Sequence, residues 1–362
     1  MSGSGQLVRA GDSTAEPVAA ESETYLRAKV RAITAEGTRD VAGTALPYQV
    51  VEVELTSRSV AGQLVTIEHG TRFSLRADQL VRVGESVIVR QAVTAEGADY
   101  EILDHWRLPG IAWFAAGVAL LVILIGGKRG ALALGSLAIT YWLLVAWVAP
   151  QILNGVNPLL MSLAASTLIA TVTMYLTHGF RKETGVALGA ILASVVVAVL
   201  LASRAVDLAH LFGFGSEEAY GFQFGPYADL DFRGILLAGM ILGTLGVLDD
   251  VATAQTATVE EIAKANRQLG FSELYRRGLT VGRVHIASLV NTLVLAYAGA
   301  SFPLFLALVV GQAQPFWVTM NSEFFGEEIV RSLVGSAALI LSVPIATGVS
   351  AWYFAKKSVN AN

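Results

Sequence analysis

The sequence predicts a membrane protein in two parts: an all-α bundle of seven transmembrane helices, and before it a small β-barrel or sandwich domain outside the membrane. The first reason is composition, because 54% of the residues are hydrophobic and 15% are charged, against about a quarter charged in soluble domains. The second is placement, since the apolar residues concentrate after residue 107. The third is a set of seven apolar segments there, each near the roughly 20 residues that cross a bilayer.

The N-terminal part divides into a tail and a β-domain. Residues 1–24 are small and polar and contain no apolar run, which predicts a tail and not a signal peptide. Between 25 and 107, short segments rich in Val and Ile alternate with period two and are separated by turn residues, which predicts an extracytoplasmic β-domain. The predicted strands are LRAKVRAIT, YQVVEVELT, QLVTIEH, SVIVRQAV and YEIL.

The remaining chain predicts a helical domain over 108–357, with a cytoplasmic elbow at 258–282 and a cytoplasmic tail at 358–362. Pro303 and Pro344 are expected to kink the sixth and seventh spans. The seven spans are placed near 110–126, 131–149, 158–177, 184–203, 233–254, 284–310 and 333–355.

Charges in the connections between spans predict the orientation. Basic residues follow the first, third, fifth and seventh spans, for example Lys128, Arg181, Arg276 and Lys356, whereas the alternate connections are neutral or acidic. By the positive-inside rule the basic side is cytoplasmic. We therefore expect a multi-pass protein of the bacterial cytoplasmic membrane, with the β-domain outside and the C-terminus in the cytoplasm.

Two adjacent acids, Asp249 and Asp250, stand inside the fifth apolar segment. Carboxylates are costly in a bilayer and usually face a bundle interior, a cavity or an ion path. Small residues share one helical face with Asp250, which predicts close packing and an Asp250 that points into the bundle; they are Gly239, Gly243, Gly246, Thr253 and Ala257. Asp250, together with Asp249 and Thr253, is expected to bind an ion or a polar substrate group. The alternative is that both acids solvate or cap the helix end.

The sixth segment carries a second small and polar face, with His285, Ser288 and Thr292 on it and Asn291 beside it. Because the two polar stretches occupy the same halves of consecutive spans, His285 or Asn291 is expected to reach Asp250 and to complete a substrate- or ion-binding site. Polar contacts between helices that only hold the bundle together are the alternative.

Acids also open the last span from its external side. Glu327 and Arg331 stand four residues apart and are expected to pair, with Glu328 on the adjoining face. The simpler interpretation is a helix start whose acids are favoured by the helix dipole. The alternative is an outer gate.

Residue content disfavours several kinds of chemistry. The absence of cysteine excludes disulfides, thiol catalysis and thiolate metal sites, and the five histidines lack metal-ligand spacing, so no metal or other cofactor is expected. A net charge of −4 gives no reason to expect nucleic acid. No enzyme is expected either: neither HExxH nor GxSxG occurs. Asp249 and Asp250 also diverge on one helix and cannot share a proton as protease aspartates do.

A resemblance to a known family rests on three long blocks: GVLDDVATAQTATVEEI, ELYRRGLTVGRVHIASLVNTLVLAYAGASFPLF and SEFFGEEIVRSLVGSAALILSVPIAT. Over about residues 110–355 the chain resembles the YibE/F-like bacterial membrane proteins, especially their actinobacterial members. The resemblance implies an N-terminal anchor, an external β-domain and a polytopic region, and residues 1–24 depart from it by containing no anchor segment. It also implies a permease or exporter, but assigns no substrate and no residue roles.

Two functions follow from these observations. The leading hypothesis is a permease or secondary transporter, surrounded by the lipid bilayer, which moves an ion or a small-molecule substrate. The alternative is a non-transporting scaffold whose external β-domain binds an envelope protein partner. A homo-oligomer is a further option, because seven spans need not form a complete pathway.

Overall fold

The structure, a computed structural model, describes residues 23–41, 43–57, 60–72, 74–94, 97–310 and 314–359. Two compact units divide the chain, one ending at Val118 and the other beginning at Ala119. Of the predicted tails, residues 1–22 and 360–362 lie outside the described residues.

The first unit contains an antiparallel sheet with the strand order β3-β2-β1-β4-β5. The long β1 lies in the middle, where it pairs with β2 on one side and with β4 on the other. The five predicted strand segments coincide with these strands, and closure into a barrel or sandwich stays a prediction. The strands are β1 Glu23–Val41, β2 Thr44–Leu55, β3 Leu64–His69, β4 Ser86–Thr94 and β5 Gly97–His105.

Alternation along the strands builds the core of this sheet. On β1 the residues Leu26, Ala28 and Val30 are buried at a two-residue spacing, and on β2 the residues Val51 and Val53 are buried at the same spacing. The buried polar residue Gln49 of β2 holds the loop before β4 in place. Its side-chain nitrogen donates to the Val81 carbonyl at 3.2 Å, and its side-chain oxygen accepts from the Val81 N–H at 3.0 Å. The amide is therefore satisfied inside the core.

The second unit is helical. Six helical stretches in the described residues are long and apolar enough to cross a bilayer, so the chain is a multi-pass membrane protein. The helices are α1 Leu108–Leu143, α2 Ala149–Leu153, α3 Pro158–His178, α4 Lys182–Leu208, α5 Glu217–Phe222, α6 Phe232–Ala265, α7 Phe271–Ala300, α8 Phe302–Val310, α9 Phe316–Met320 and α10 Glu323–Val359.

The difference between six stretches and the predicted seven arises in α1. The first two predicted spans fall in one helical run, Leu108–Leu153, which includes a short π-helical stretch after α1. Inside it Gly127 has φ +57° and ψ −139°, a non-helical conformation that glycine adopts readily. The chain bends so sharply there that a Cβ on Gly130 would lie 2.3 Å from the Val122 carbonyl oxygen.

Two other boundaries differ from the predicted ones. The predicted span at 284–310 consists of α7 and α8, which are separated at Ser301, because Pro303 lacks an N–H group and disfavours helical backbone before it. The last helix begins at Glu323 and runs through Pro344. Residues 258–282 occupy the end of α6, a short connection and the start of α7.

Helix α6 lies at the centre of the helical unit and contacts α3, α4, α7 and α10. Its contacts with α3, α4 and α10 are made through small side chains, since Ala165, Ala190, Ala252 and Ala346 are nearly fully buried in one cluster. Small residues let helix axes approach closely, which compensates for the lack of a hydrophobic driving force in lipid.

Candidate functional site

Asp249 and Asp250 lie near the middle of α6 and face different sides of it. Asp249 is half-buried, and its Oδ1 atom is buried without making a hydrogen bond. Asp250 is exposed, as are Gly239, Gly243 and Gly246 on the same face. The predicted glycine face is therefore not part of the buried core of the bundle.

The buried face of α6 is instead the one that carries Leu245, Leu248 and Ala252. Leu245 and Leu248 belong to a cluster with α3, α4 and α10, and the many dispersion contacts of these leucines favour this orientation over one that buries the glycines. The glycines leave space that other helices use: a Cβ on Gly239 would lie 3.5 Å from Arg331 Nη1, and one on Gly243 would lie 3.3 Å from the Tyr297 hydroxyl.

A cavity of about 270 Å³, which we call the Asp250 cavity, lies between α6, α7 and α10. Of the predicted site residues, the structure brings Asp250 and His285 together in it. Its lining residues are Asp250, Val251, Ala254, Gln255, His285, Ser288, Leu289 and Val343. A carboxylate, an imidazole, a hydroxyl and an amide thus share one space near the middle of α6.

The other two residues predicted for this site lie elsewhere. Thr253 faces α3, where its hydroxyl donates to the Met174 sulfur at 3.5 Å. Asn291 is exposed on α7 and does not line the Asp250 cavity. It follows His285 by six residues, which at 3.6 residues per turn places it about 240° further round the helix.

Buried polar residues that the sequence analysis did not single out connect α6 to α7 and α10. The Gln255 side-chain nitrogen donates to the Gly278 carbonyl at 2.7 Å and to the Thr347 hydroxyl at 2.8 Å. In the next layer the Ser350 hydroxyl donates to Thr256 at 3.0 Å. The sequence contained a signal for this connection, because Gln255 is a polar residue in a mostly apolar segment, five residues after Asp250.

At the start of α10, two acids hold the segment 212–215, which follows α4. Glu323 Oε1 accepts three consecutive backbone N–H groups, from residues 212 to 214, at 2.5, 2.7 and 3.3 Å. Glu327 Oε1 accepts the next, from Gly215, at 2.8 Å. Hydrogen bonds to a carboxylate are stronger than neutral ones, so these two acids fix the segment against α10.

Glu328 and Arg331 form the adjoining part of this cluster. The predicted pair of Glu327 and Arg331 is loose, with 3.9 Å between Glu327 Oε2 and Arg331 Nη2. Arg331 Nε lies 3.4 Å from Glu328 Oε1 but is buried and makes no hydrogen bond. The Ser301 hydroxyl donates to Glu328 Oε2 at 2.8 Å, which ties α10 to the turn between α7 and α8.

A second cavity, of about 240 Å³, opens beside this cluster, and we call it the Glu328 cavity. Most of its lining is apolar and comes from α7, α8, α9 and α10, and its polar groups are Glu328, Ser301, Ser332 and the Tyr297 hydroxyl. The two cavities therefore lie along the same pair of helices, α7 and α10.

An apolar cluster lies between the two cavities. Its buried members include Leu293 of α7 and Leu339 and Val343 of α10, and Val251 of α6 completes it. The helices approach closely there, since a Cβ on Gly335 would lie 3.2 Å from Leu293 Cδ2. These four side chains carry no polar atom, so an ion that passed between the cavities would lose its hydration there without compensation.

Within the part of the chain that the structure describes, no three His, Asp or Glu side chains are placed together to hold a metal ion.

Comparison with known proteins identifies one family. A family model described as "YibE/F-like protein" matches residues 114–356, which is more than half of the chain. No curated protein matches the chain. No solved structure matches it.

Proposed function

Because the chain belongs to the YibE/F-like family and its helices can cross a bilayer several times, we propose that it is a permease or secondary transporter of the bacterial cytoplasmic membrane. The observation that carries the proposal is the arrangement of the Asp250 and Glu328 cavities on either side of an apolar barrier. Secondary transporters expose a central site to each side of the membrane in turn. Small movements of α7 against α6 and α10 would open one cavity toward the other.

The proposed topology has seven crossings. The sharp bend at Gly127 supports two crossings within the run Leu108–Leu153, one on each side of the basic pair that begins at Lys128. With basic connections in the cytoplasm, the β-domain lies outside and the C-terminus inside. The Glu328 cavity then belongs to the external half of the helices and the Asp250 cavity to the cytoplasmic half.

In this proposal, Asp250 binds the coupling ion. Asp250 shares a cavity with His285, and an acid beside an imidazole can hold a cation or exchange a proton. Asp249 does not line this cavity, and its buried oxygen without a hydrogen bond is a separate place at which a cation could bind. Glu323 and Glu327, which hold segment 212–215, act as the outer gate with Glu328 and Arg331.

The experiment that tests this function measures ion flux into dye-loaded proteoliposomes under imposed proton, sodium and potassium gradients. We expect flux with the wild-type protein under at least one gradient, and its loss in Asp250→Asn. The matched control is Asp229→Asn, which changes an exposed acid in the connection before α6 and should keep wild-type flux.

Folding of each variant is checked by its melting temperature before reconstitution. Flux that is equal in wild type and Asp250→Asn would remove the coupling ion from Asp250. Absence of flux under all three gradients, from protein that melts normally, would exclude a channel or uniporter for these ions. It would favour the second function over a transporter that moves ions only together with its substrate.

That second function is the membrane scaffold. The observation that favours it is the β-domain, which forms a compact unit with a core of its own. In this case the β-domain would bind an envelope protein and the Gln255 hydrogen bonds would only hold the helices together. Crosslinking of a stoichiometric partner to the β-domain would support the scaffold. The same support requires that cells with the Asp250→Asn variant behave like cells with the wild-type protein.

A further inference from the structure

The Glu328 cavity combines an apolar wall with one charged group. The apolar wall includes Phe305 of α8, Met320 of α9, and Phe325 and Leu333 of α10. Among the described residues that line the cavity, Glu328 alone carries a charge near neutral pH. Its volume of about 240 Å³ lies below the roughly 300–1,000 Å³ typical of pockets for drug-sized ligands. The cavity therefore suits a small molecule with an apolar body.

Glu328 retains capacity to accept hydrogen bonds from a ligand. Ser301 donates to one of its oxygens at 2.8 Å, whereas the other oxygen only has Arg331 Nε at 3.4 Å, without a hydrogen bond. A carboxylate offers about four lone-pair sites, so most of them are free. The Glu328 side chain is 31% exposed, which leaves it within reach of a molecule in the cavity.

The surrounding charges favour a cation over an anion. Arg331 is the guanidinium of this cluster, and it lies 3.9 Å from Glu327 and 3.4 Å from Glu328, whereas Glu323 stands one turn before Glu327 on α10. Arg331 does not line the cavity, and its Nη1 atom extends toward Gly239 of α6. Glu323 and Glu327 bind the backbone of segment 212–215, so among the described residues the charge that faces the cavity is the Glu328 carboxylate. An anionic head group would be repelled there.

We propose that the Glu328 cavity binds a small amphiphilic cation, in which one aromatic ring or a short alkyl chain carries a protonated amine. The amine donates to Glu328, and the apolar body packs between Phe305, Phe325 and Leu333. This inference adds a substrate class to the proposed transporter. It rests on the proposed function only where it treats the bound amine as a substrate. Binding itself does not require transport.

The test is equilibrium binding of radiolabelled 2-phenylethylamine to the full-length protein in nanodiscs, with binding to empty nanodiscs subtracted. Unlabelled 2-phenylethanol and phenylacetate, which have a similar body and a neutral or anionic head group, serve as competitors. We expect saturable amine binding, weak competition by the alcohol and none by the acid. Glu328→Gln should lower the affinity about tenfold or more, because it removes the charge that pairs with the amine.

Two variants distinguish a binding role from a structural one. Glu328→Asp keeps the charge and should retain amine binding, whereas Ser332→Phe fills the cavity and should abolish it. Glu218→Gln, an exposed acid of α5, is the matched control. The proposal is overturned if the wild type shows no saturable binding, if Glu328→Gln or Ser332→Phe binds like wild type, or if the alcohol or the acid competes as well as the amine.

Failure of this proposal differs from failure of the proposed function. Amine binding with the expected variant pattern, in a protein that moves no ion with or without the amine, would keep the site and refute ion-coupled transport. Ion flux that depends on Asp250, without amine binding, would keep the transporter and refute this substrate class.

Discussion

Among single residues, Gly282 determines how closely α7 approaches α6 and α10. A Cβ at this position would lie 2.5 Å from Val343 Cγ1 and 2.9 Å from Gln255 Nε2. We expect Gly282→Val to lower the free energy of unfolding by about 1–3 kcal/mol, because overpacking forces neighbouring side chains out of their rotamers. The measurement is the melting temperature in detergent. The control Gly246→Val adds the same side chain where nothing lies within 4 Å, and equal melting of the two variants would contradict the close approach.

His69, in the sheet, gives a prediction about pH. Burial lowers the pKa of His69 below its ordinary value of 6.5, since the imidazolium would lose its hydration, and the nearby His105 adds to the lowering. The unfolded chain therefore takes up a proton at a higher pH than the folded chain. It follows that the free energy of unfolding of the β-domain falls as the pH decreases through about 6.5.

We expect the opening free energy of β3 amides, from hydrogen exchange corrected for intrinsic rates, to decrease between pH 7.5 and pH 5.5. The variant His69→Gln has no proton to take up and should show a smaller decrease. The same pH dependence in both proteins would mean that another group controls the acid response of the sheet.

At the scale of elements, α10 and the segment 212–215 are held together by Glu323. Its carboxylate accepts three consecutive backbone N–H groups, and hydrogen bonds to charged groups contribute about 1.5–3 kcal/mol each. We expect Glu323→Ala to speed hydrogen exchange of amides 212–214 by about tenfold or more. Glu218→Ala, on the exposed surface of α5, should leave these rates unchanged. Wild-type protection in Glu323→Ala would show that the segment is held by other contacts.

This contact also shows the limit of reading elements from sequence. The sequence pattern singles out Glu327 and Glu328 at the start of α10 and predicts a favourable interaction with the helix dipole, but it does not single out Glu323. The partners of Glu323 and Glu327 are backbone groups 109 to 112 positions earlier in the chain. A sequence pattern indicates that an acid occupies a helix start, but it does not indicate which distant segment folds against it.

For helix α6, the sequence pattern predicts the position of the helix but not the face that it buries. Its position was predicted, because a long apolar segment identifies itself by length. The face of α6 that is buried was not predicted. Glycine spacing indicates that close packing is feasible, but it does not indicate which face of the helix gains more from packing. The face with Leu245, Leu248 and Ala252 is buried, so Asp250 reaches a cavity beside α7 and not the centre of the bundle. His285 was nevertheless predicted near it, because both residues have the same depth in antiparallel neighbours.

For the molecule as a whole, the number of membrane crossings depends on the helical run that starts the helical unit. The helical run Leu108–Leu153 is 46 residues long, which at 1.5 Å per residue exceeds the thickness of a bilayer about twofold. A single crossing would place its two ends on opposite sides of the membrane. The bend at Gly127 permits two crossings, which return the chain to the side from which it started.

The sequence offers a direct measurement of this topology because it contains no cysteine, so every introduced thiol is labelled alone. We expect Thr56→Cys and Asn154→Cys to react with a membrane-impermeant maleimide in intact cells, and Lys128→Cys and Lys182→Cys to react only after permeabilisation. This pattern follows from two crossings before α3, with Lys128 in the cytoplasmic turn between them. If Thr56→Cys and Asn154→Cys react from opposite sides of the membrane, the run crosses once. The chain then has six crossings, and the β-domain and the C-terminus lie on the same side.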